Sequence, residues 1–267
     1  MERPIGMFDS GFGGLTVARA LIDLLPDEDL VYVGDTGRYP YGPRPQSEVR
    51  EFARQLAWGL VKEHDVKALI VACNTASAAA LDLLEAEIPV LVIDVIAPGA
   101  RALVRATRTG KVGVIGTVGT IGSGAYDRAV AATGADVQLT SAACPGFVEF
   151  VERGQTSGEE VTILAERLLA PIRQAGVDTL LLGCTHYPYL ADVIGAVMGP
   201  DVTLVNSADA TARAAHAELT AAGLLRTPGS EPAVHRFMSS GDISWFADLG
   251  GRLLGPELRD AEQWHHE

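Results

Sequence analysis

One stretch of this chain occurs twice. Val66-Lys67-Ala68-Leu69-Ile70-Val71-Ala72-Cys73-Asn74-Thr75 is echoed by Val177-Asp178-Thr179-Leu180-Leu181-Leu182-Gly183-Cys184-Thr185-His186. Each is an apolar run too short for most helices, closing on a small residue, a cysteine and a hydroxyl-bearing residue. Such runs form parallel strands buried on both faces, and each delivers a thiol to a strand's C-terminal end. The cysteines lie 184 − 73 = 111 residues apart, so they belong to separate units of the chain. A second pair of anchors agrees: Ile5-Gly6-Met7-Phe8 is matched by Val112-Gly113-Val114-Ile115, 112 − 5 = 107 residues on, with Gly116-Thr117 in the place of Asp9-Ser10. Two anchors at nearly one offset predict an internal duplication and pseudo-twofold related halves.

Around these anchors strands alternate with helical patterns. Leu15, Ala18, Leu21, Ile22 and Leu25 share a helical face before Pro26; Ser47 is placed to cap a helix carrying Val49, Phe52, Leu56 and Leu60. Further helices are predicted over about 76–86, from the capping-box pattern Ser157-Gly158-Glu159-Glu160 to about 171–174, and from about Tyr189, with a short helical segment opened by Cys144-Pro145. Residues 30–33, 90–93, 136–140 and 202–205 read as further strands, and 94–98 as the crossing between halves. Beyond Asn206 a long helix, a strand at 234–238 and a final helix are too few for a third domain. The expectation is an α/β protein of two pseudo-symmetric domains, with mainly parallel sheets flanked by helices. Residues 1–96 plus 208–267 would form the first and 97–207 the second, with the active site in the cleft between them. The Pro- and Gly-rich segment 38–45 exceeds an ordinary connection and is expected to be functional.

Composition narrows the function. With 34 acidic against 21 basic residues, the net charge of −13 argues against a nucleic-acid backbone or an anionic membrane surface as partner. No apolar run reaches the length of a membrane span, and Met1-Glu2-Arg3-Pro4 lacks a signal pattern. Three cysteines without a CxxC motif fit a reducing compartment, so a cytoplasmic location is expected. The terminal Trp264-His265-His266-Glu267 is too short for a tag or a metal site.

An isolated cysteine at a strand end is usually a small buried hydrophobe. Equivalent positions in a duplicated unit point instead to chemistry for Cys73 and Cys184, while Cys144, which has no echo, reads as structural. Asn74-Thr75 and Thr185-His186 are placed to donate hydrogen bonds and cap the following helices, whose N-termini would favour thiolate. Two thiols facing across a cleft suit inversion of a stereocentre: one thiolate takes a proton from carbon while the opposite thiol donates one, with no cofactor. Zinc would want more soft ligands nearby, and no metal is expected. A redox disulfide lacks its usual spacing. The glycines of Gly11-Phe12-Gly13-Gly14 and between 116 and 124 miss the dinucleotide and P-loop spacings, so no nucleotide is expected. They read as tight turns whose N–H groups suit carboxylates.

Phe8-Asp9-Ser10-Gly11-Phe12-Gly13-Gly14-Leu15, Gly34-Asp35 with Pro40-Tyr41-Gly42, Ala72-Cys73-Asn74-Thr75, Cys144-Pro145 with Phe147-Val148 and Val151-Glu152, and Gly183-Cys184-Thr185-His186-Tyr187-Pro188 together resemble the glutamate racemase family, in order through about the first 210 residues. The resemblance implies a cofactor-independent isomerase, commonly a homodimer, interconverting L- and D-glutamate to supply D-glutamate for peptidoglycan and so for cell-wall biogenesis and cell shape. It implies that Cys73 takes the α-proton of D-glutamate and Cys184 that of L-glutamate. Asp9 would serve beside Cys73, with His186 and Glu152 beside Cys184. Ser10, Tyr41, Gly42, Asn74, Thr75, Thr185 and His186, with Asp9, would hold the substrate. Arg38-Tyr39 departs from the pattern in a variable stretch, and the short N-terminus weighs against an extension-based activator site. Taken singly, Asp9 also reads as a helix cap, His186 as a core histidine and Glu152 as a solvated charge. Rival functions are racemisation of aspartate, or a binding or regulatory protein; a DNA gyrase partner is conceivable from the family, without a motif for it. Glutamate would bring two carboxylates to motifs lacking Lys and Arg, so N–H groups and neutral side chains must bind them.

Overall fold

The computed structural model describes residues 3–227, 229, 231–255, 257–258 and 260–266. Met1, Glu2 and Glu267, in the terminal segments named above, lie outside the described residues. The first series of elements is β1 (Ile5–Asp9), α1 (Leu15–Leu24), β2 (Leu30–Gly34), α2 (Gln46–His64), β3 (Ala68–Val71), α3 (Asn74–Glu87), β4 (Leu91–Asp94) and α4 (Ile96–Ala106). The series restarts with β5 (Lys111–Gly116), α5 (Val118–Gly122), α6 (Ala125–Ala132), β6 (Gln138–Ala143), α7 (Phe147–Glu152), α8 (Glu159–Ala175), β7 (Thr179–Leu182), α9 (Ala191–Met198) and β8 (Thr203–Asn206). α10 (Ser207–Ala221), β9 (His235–Ser239), α11 (Ile243–Leu254) and β10 (Glu262–Gln263) follow.

The protein is α/β. Among the described residues every strand pairing is parallel, in two sheets ordered β10-β9-β2-β1-β3-β4 and β6-β5-β7-β8. The order β2-β1-β3-β4 recurs as β6-β5-β7-β8, and the repeated anchors take equivalent places. Ile5 pairs with Ala68, and Val112 with Thr179. Each cysteine run thus lies beside the opening strand of its own sheet. β9 pairs with β2, so the C-terminal segment extends the first sheet. Helices on both faces explain the continuous apolar character of β1, β2, β3 and β7, which are buried throughout. α1 buries Leu15, Val17, Ala18 and Leu21 and packs on α10 and α11. Each of the leucines and the valine contributes roughly 1.5–3 kcal/mol against the entropy of ordering it. No helix among the described residues is long and apolar enough to cross a membrane.

Several helix ends differ from expectation. Pro45, in extended conformation, begins α2, and Ser47 lies within the helix without capping it. The expected capping box also fails: Gly158 heads α8 at φ 110°, a conformation that favours glycine and leaves Ser157 outside the cap position. α8 runs through Pro171 to Ala175, where Gly176 at φ 66° closes it and donates its N–H to the Arg173 carbonyl at 3.1 Å.

Candidate active site

At the end of β3 the chain turns into α3, and the cap of that helix is Cys73 itself. Its Sγ accepts the Ala76 N–H at 3.4 Å, so Asn74 and Thr75 lie inside the helix and do not cap it. Ser10 Oγ stands 3.6 Å from the same sulfur. Asp9, at the end of β1, is fully buried. One of its oxygens accepts the Gly11 N–H at 2.9 Å and the other the Thr185 hydroxyl at 3.5 Å. It does not cap α1, whose N-cap position is held by Gly14. The expected helix-terminus activation of Cys73 is overridden. Burial, followed by the charge of Asp9, pushes the thiol up to about 12, against the smaller opposing effects of the Ala76 N–H and Ser10.

The second cysteine is built differently. A 3₁₀ turn over Tyr187–Leu190 follows Cys184 before α9 begins; His186 holds its N-cap position but makes no side-chain cap bond, and α9 is headed by Leu190. His186 instead bridges two groups: its Nδ1 lies 3.9 Å from Cys184 Sγ and its Nε2 3.1 Å from Glu152 Oε1. Burial opposes charge on this imidazole, but its bonds to Cys184 and Glu152 and the charge of Asp9 prevail and raise its pKa to about 10. Glu152 comes from α7, and its side chain is only 11% exposed, so it is not a solvated surface charge.

The residues after each cysteine reach into the opposite half. Asn74 Nδ2 donates to the Tyr126 hydroxyl at 2.8 Å, and Thr75 Oγ1 lies 3.0 Å from Thr117 Oγ1. From the other side, Thr185 bonds Asp9, and the His186 ring meets Phe12 at 6.1 Å between centroids. The glycines of the first turn make room for this approach. A methyl on Gly13 would collide with Thr185 and His186, while the Gly11 N–H is already taken by Asp9. The turn thus serves close packing at Gly13, and its Gly11 N–H is spent on the carboxylate of Asp9.

Cys73 and Cys184 wall one cavity with Ser10, Tyr41, Gly42, Asn74, Thr75, Thr185 and His186. Its volume is about 80 Å³, small beside the roughly 300–1,000 Å³ typical of drug-sized ligand pockets, which suits a small substrate. Asp9 and Glu152 stand behind the wall, against Thr185 and His186. Segment 38–45 covers part of it, with Tyr39 to Pro43 on the lining. Gly42 approaches Thr117 closely, and its carbonyl accepts the Gly119 N–H at 2.9 Å. Among the described residues no Lys or Arg lines the cavity. Sequence reasoning passed over Thr117, Val118, Pro145, Gly146, Val148 and Glu149 as lining residues. Thr117 had a signal as the echo of Ser10, and Pro145 and Val148 belonged to the motifs that carry the family resemblance. Cys144, read as structural, is also on the cavity wall, and burial followed by the neighbouring Cys184 pushes its thiol up to about 12.

Comparison with known proteins agrees along the whole length. The Asp/Glu/Hydantoin racemase family matches residues 14–215. The glutamate racemase of Parafrankia sp. is 54% identical over 255 residues, covering 96% of this chain and 92% of the relative. The crystal structure of a glutamate racemase from Bacillus anthracis superposes with a TM-score of 0.92 at 40% identity, covering 99% of this chain and 97% of that one. That of Francisella tularensis, solved in complex with D-glutamate, gives 0.92 at 34% identity over 100% and 98%. On this likeness of sequence and fold, the chain belongs to the Asp/Glu/hydantoin racemase family.

Proposed function

We propose that the chain interconverts L- and D-glutamate by moving the Cα proton between two sulfurs. The observation that carries this reading is the pair of cysteines, from equivalent strands of two sheets, that wall a single small cavity. The close relatives are glutamate racemases, and one solved relative holds D-glutamate. In the L-to-D direction the Cα–H bond breaks as the Cys184 thiolate takes the proton. The Cys73 S–H then delivers its own proton to the opposite face of the same carbon. The enzyme is left with a thiol at Cys184 and a thiolate at Cys73, the form that receives D-glutamate. The surroundings suit the proton inventory at the outset: burial and Asp9 keep Cys73 protonated, and His186 beside Cys184 is held cationic. Asp9 and the His186–Glu152 pair handle the protons as the two forms interchange.

Hydroxyl, amide, imidazole and backbone groups hold the substrate. Asn74 is buried, faces the cavity, and its Oδ1 has no hydrogen-bond partner, which leaves an acceptor for an ammonium group. Ser10, Thr75, Thr185, His186 and the backbone at Gly42 are the groups for the carboxylates, while Tyr41, whose hydroxyl is committed to Asp35, shapes the wall beside them. Excluding water in this narrow space strengthens each of these bonds and stabilises the carbanion-like transition state. We take residues 1–96 plus 208–267 and 97–207 as the units whose closure does this. From the family, D-glutamate made in the cytoplasm by a homodimer would feed peptidoglycan synthesis.

The decisive experiment is incubation of L-glutamate with the purified protein in deuterated water without added cofactor. Racemisation with deuterium at Cα of the D-product is expected. D-glutamate that keeps its original hydrogen in the first turnover, or no racemisation, overturns the mechanism. Turnover of aspartate in place of glutamate would reassign the substrate.

A further inference from the structure

Tyr39 belongs to the loop before the Pro-Tyr-Gly motif and lines the cavity. Its ring lies against His186, with centroids 6.3 Å apart and planes 33° from parallel. Its edge rests over Gly11, where an added methyl would meet Cδ2 at 3.5 Å. The hydroxyl is buried with no partner at full hydrogen-bond distance, and Glu152 is the group near enough to act on it, both by charge and as a longer hydrogen-bond acceptor. The neighbouring Tyr41 behaves otherwise, since its hydroxyl is already bonded to Asp35. Burial, then Glu152 and Glu149, raise the Tyr39 pKa, so the phenol stays protonated and can donate. A buried hydroxyl with no partner is costly, and the empty valence is relieved by an acceptor within reach. Glu152 is that acceptor. One of its oxygens serves His186 at 3.1 Å, and a carboxylate has room for about four such bonds.

We propose that Tyr39 is a positioning residue for the Cys184 side of the reaction: with substrate bound, its hydroxyl donates to Glu152 and fixes the Glu152–His186 pair against Cys184. The inference rests on the two-thiol racemase reading and adds an asymmetry to it, because among the described residues the groups acting on Cys73 are Ser10, Asp9 and the Ala76 N–H, with no buried tyrosine and carboxylate–imidazole pair like that beside Cys184.

The test is Tyr39→Phe, with primary isotope effects measured separately on [2-²H]-L-glutamate and [2-²H]-D-glutamate. Loss of one bond to a charged group predicts a fall in kcat of about tenfold. Proton removal by Cys184 becomes more rate-limiting, so the isotope effect rises for the L-substrate and falls for the D-substrate, while kcat/KM declines equally in both directions, as an equilibrium constant of one demands. In a Glu152→Gln background the same substitution is expected to have less than a twofold effect. Isotope effects that move together, a change in KM alone (a direct contact with substrate), or an undiminished effect in Glu152→Gln would each overturn the proposal. Failure of the parent reading looks different: the unmodified protein would then not racemise glutamate at all.

Discussion

A single methyl group on Gly13 would test whether the two halves meet as closely as the structure has them. Built on the Gly13 backbone, that carbon lies 2.6 Å from Cε1 of His186, and nearer still to Nδ1 of the same ring and to the Thr185 hydroxyl. Ordinary contact begins near 3.4 Å, so the ring must retreat by at least 3.4 − 2.6 = 0.8 Å. The retreat has nowhere easy to go, because the imidazole is buried and held between Cys184 and Glu152. Overpacking of this kind costs about 1–3 kcal/mol of stability, and displacing a reacting group by about 1 Å costs on the order of 10²-fold in rate. Gly13→Ala is therefore expected to lower kcat about a hundredfold while the urea midpoint falls by the smaller amount that the strain implies. Gly122→Ala is the control, since nothing lies within 4 Å of its added carbon; it should keep full turnover and stability. The assay is polarimetric racemisation of glutamate alongside urea unfolding. Gly13→Ala protein with the parent's turnover and midpoint would show that Thr185 and His186 do not approach the first turn as described.

Replacing Cys73 or Cys184 by Ala should each abolish racemisation of both enantiomers, followed by loss of optical rotation; substantial turnover by either single variant contradicts a two-sulfur mechanism. Stability should fall on the alkaline side. His186 has a folded pKa of about 10 against an ordinary 6.5, so its contribution is complete below about pH 6.5 and is lost as pH rises through 10. Cys73, at about 12 against 9.0, adds a contribution intact below pH 9 and lost toward 12, because the unfolded chain ionises the thiol first. Urea midpoints measured from pH 6 to 11 should therefore decline, and less steeply in His186→Asn; an identical slope in that variant would remove His186 from the account.

Much of this was written in local pattern. Runs such as Ala68-Leu69-Ile70-Val71 and Thr179-Leu180-Leu181-Leu182 have one stable use, a strand covered on both faces, and their repetition beside Ile5 and Val112 sets the shared strand order of the two sheets. The two thiols were legible for the same reason, since strand ends are where such folds place chemistry. The helix caps were not. Ser47 and Ser157 have cap-forming side chains, but the chain enters α2 through Pro45 and α8 through a glycine at positive φ, and entry angle outranks side-chain preference. The crossing of the cleft was also silent. That Asn74 bonds Tyr126, that Thr185 bonds Asp9, and that Gly13 is small for the sake of His186 depend on residues 52, 176 and 173 positions apart in sequence, counted as 126 − 74, 185 − 9 and 186 − 13. Periodicity reports which face of a strand or helix is buried, and carries no information about which distant side chain will meet it there. The proton affinity of Cys73 was decided the same way: its place at a helix start favours the thiolate, yet the burial and the Asp9 charge that only the assembled sheets provide push it the other way.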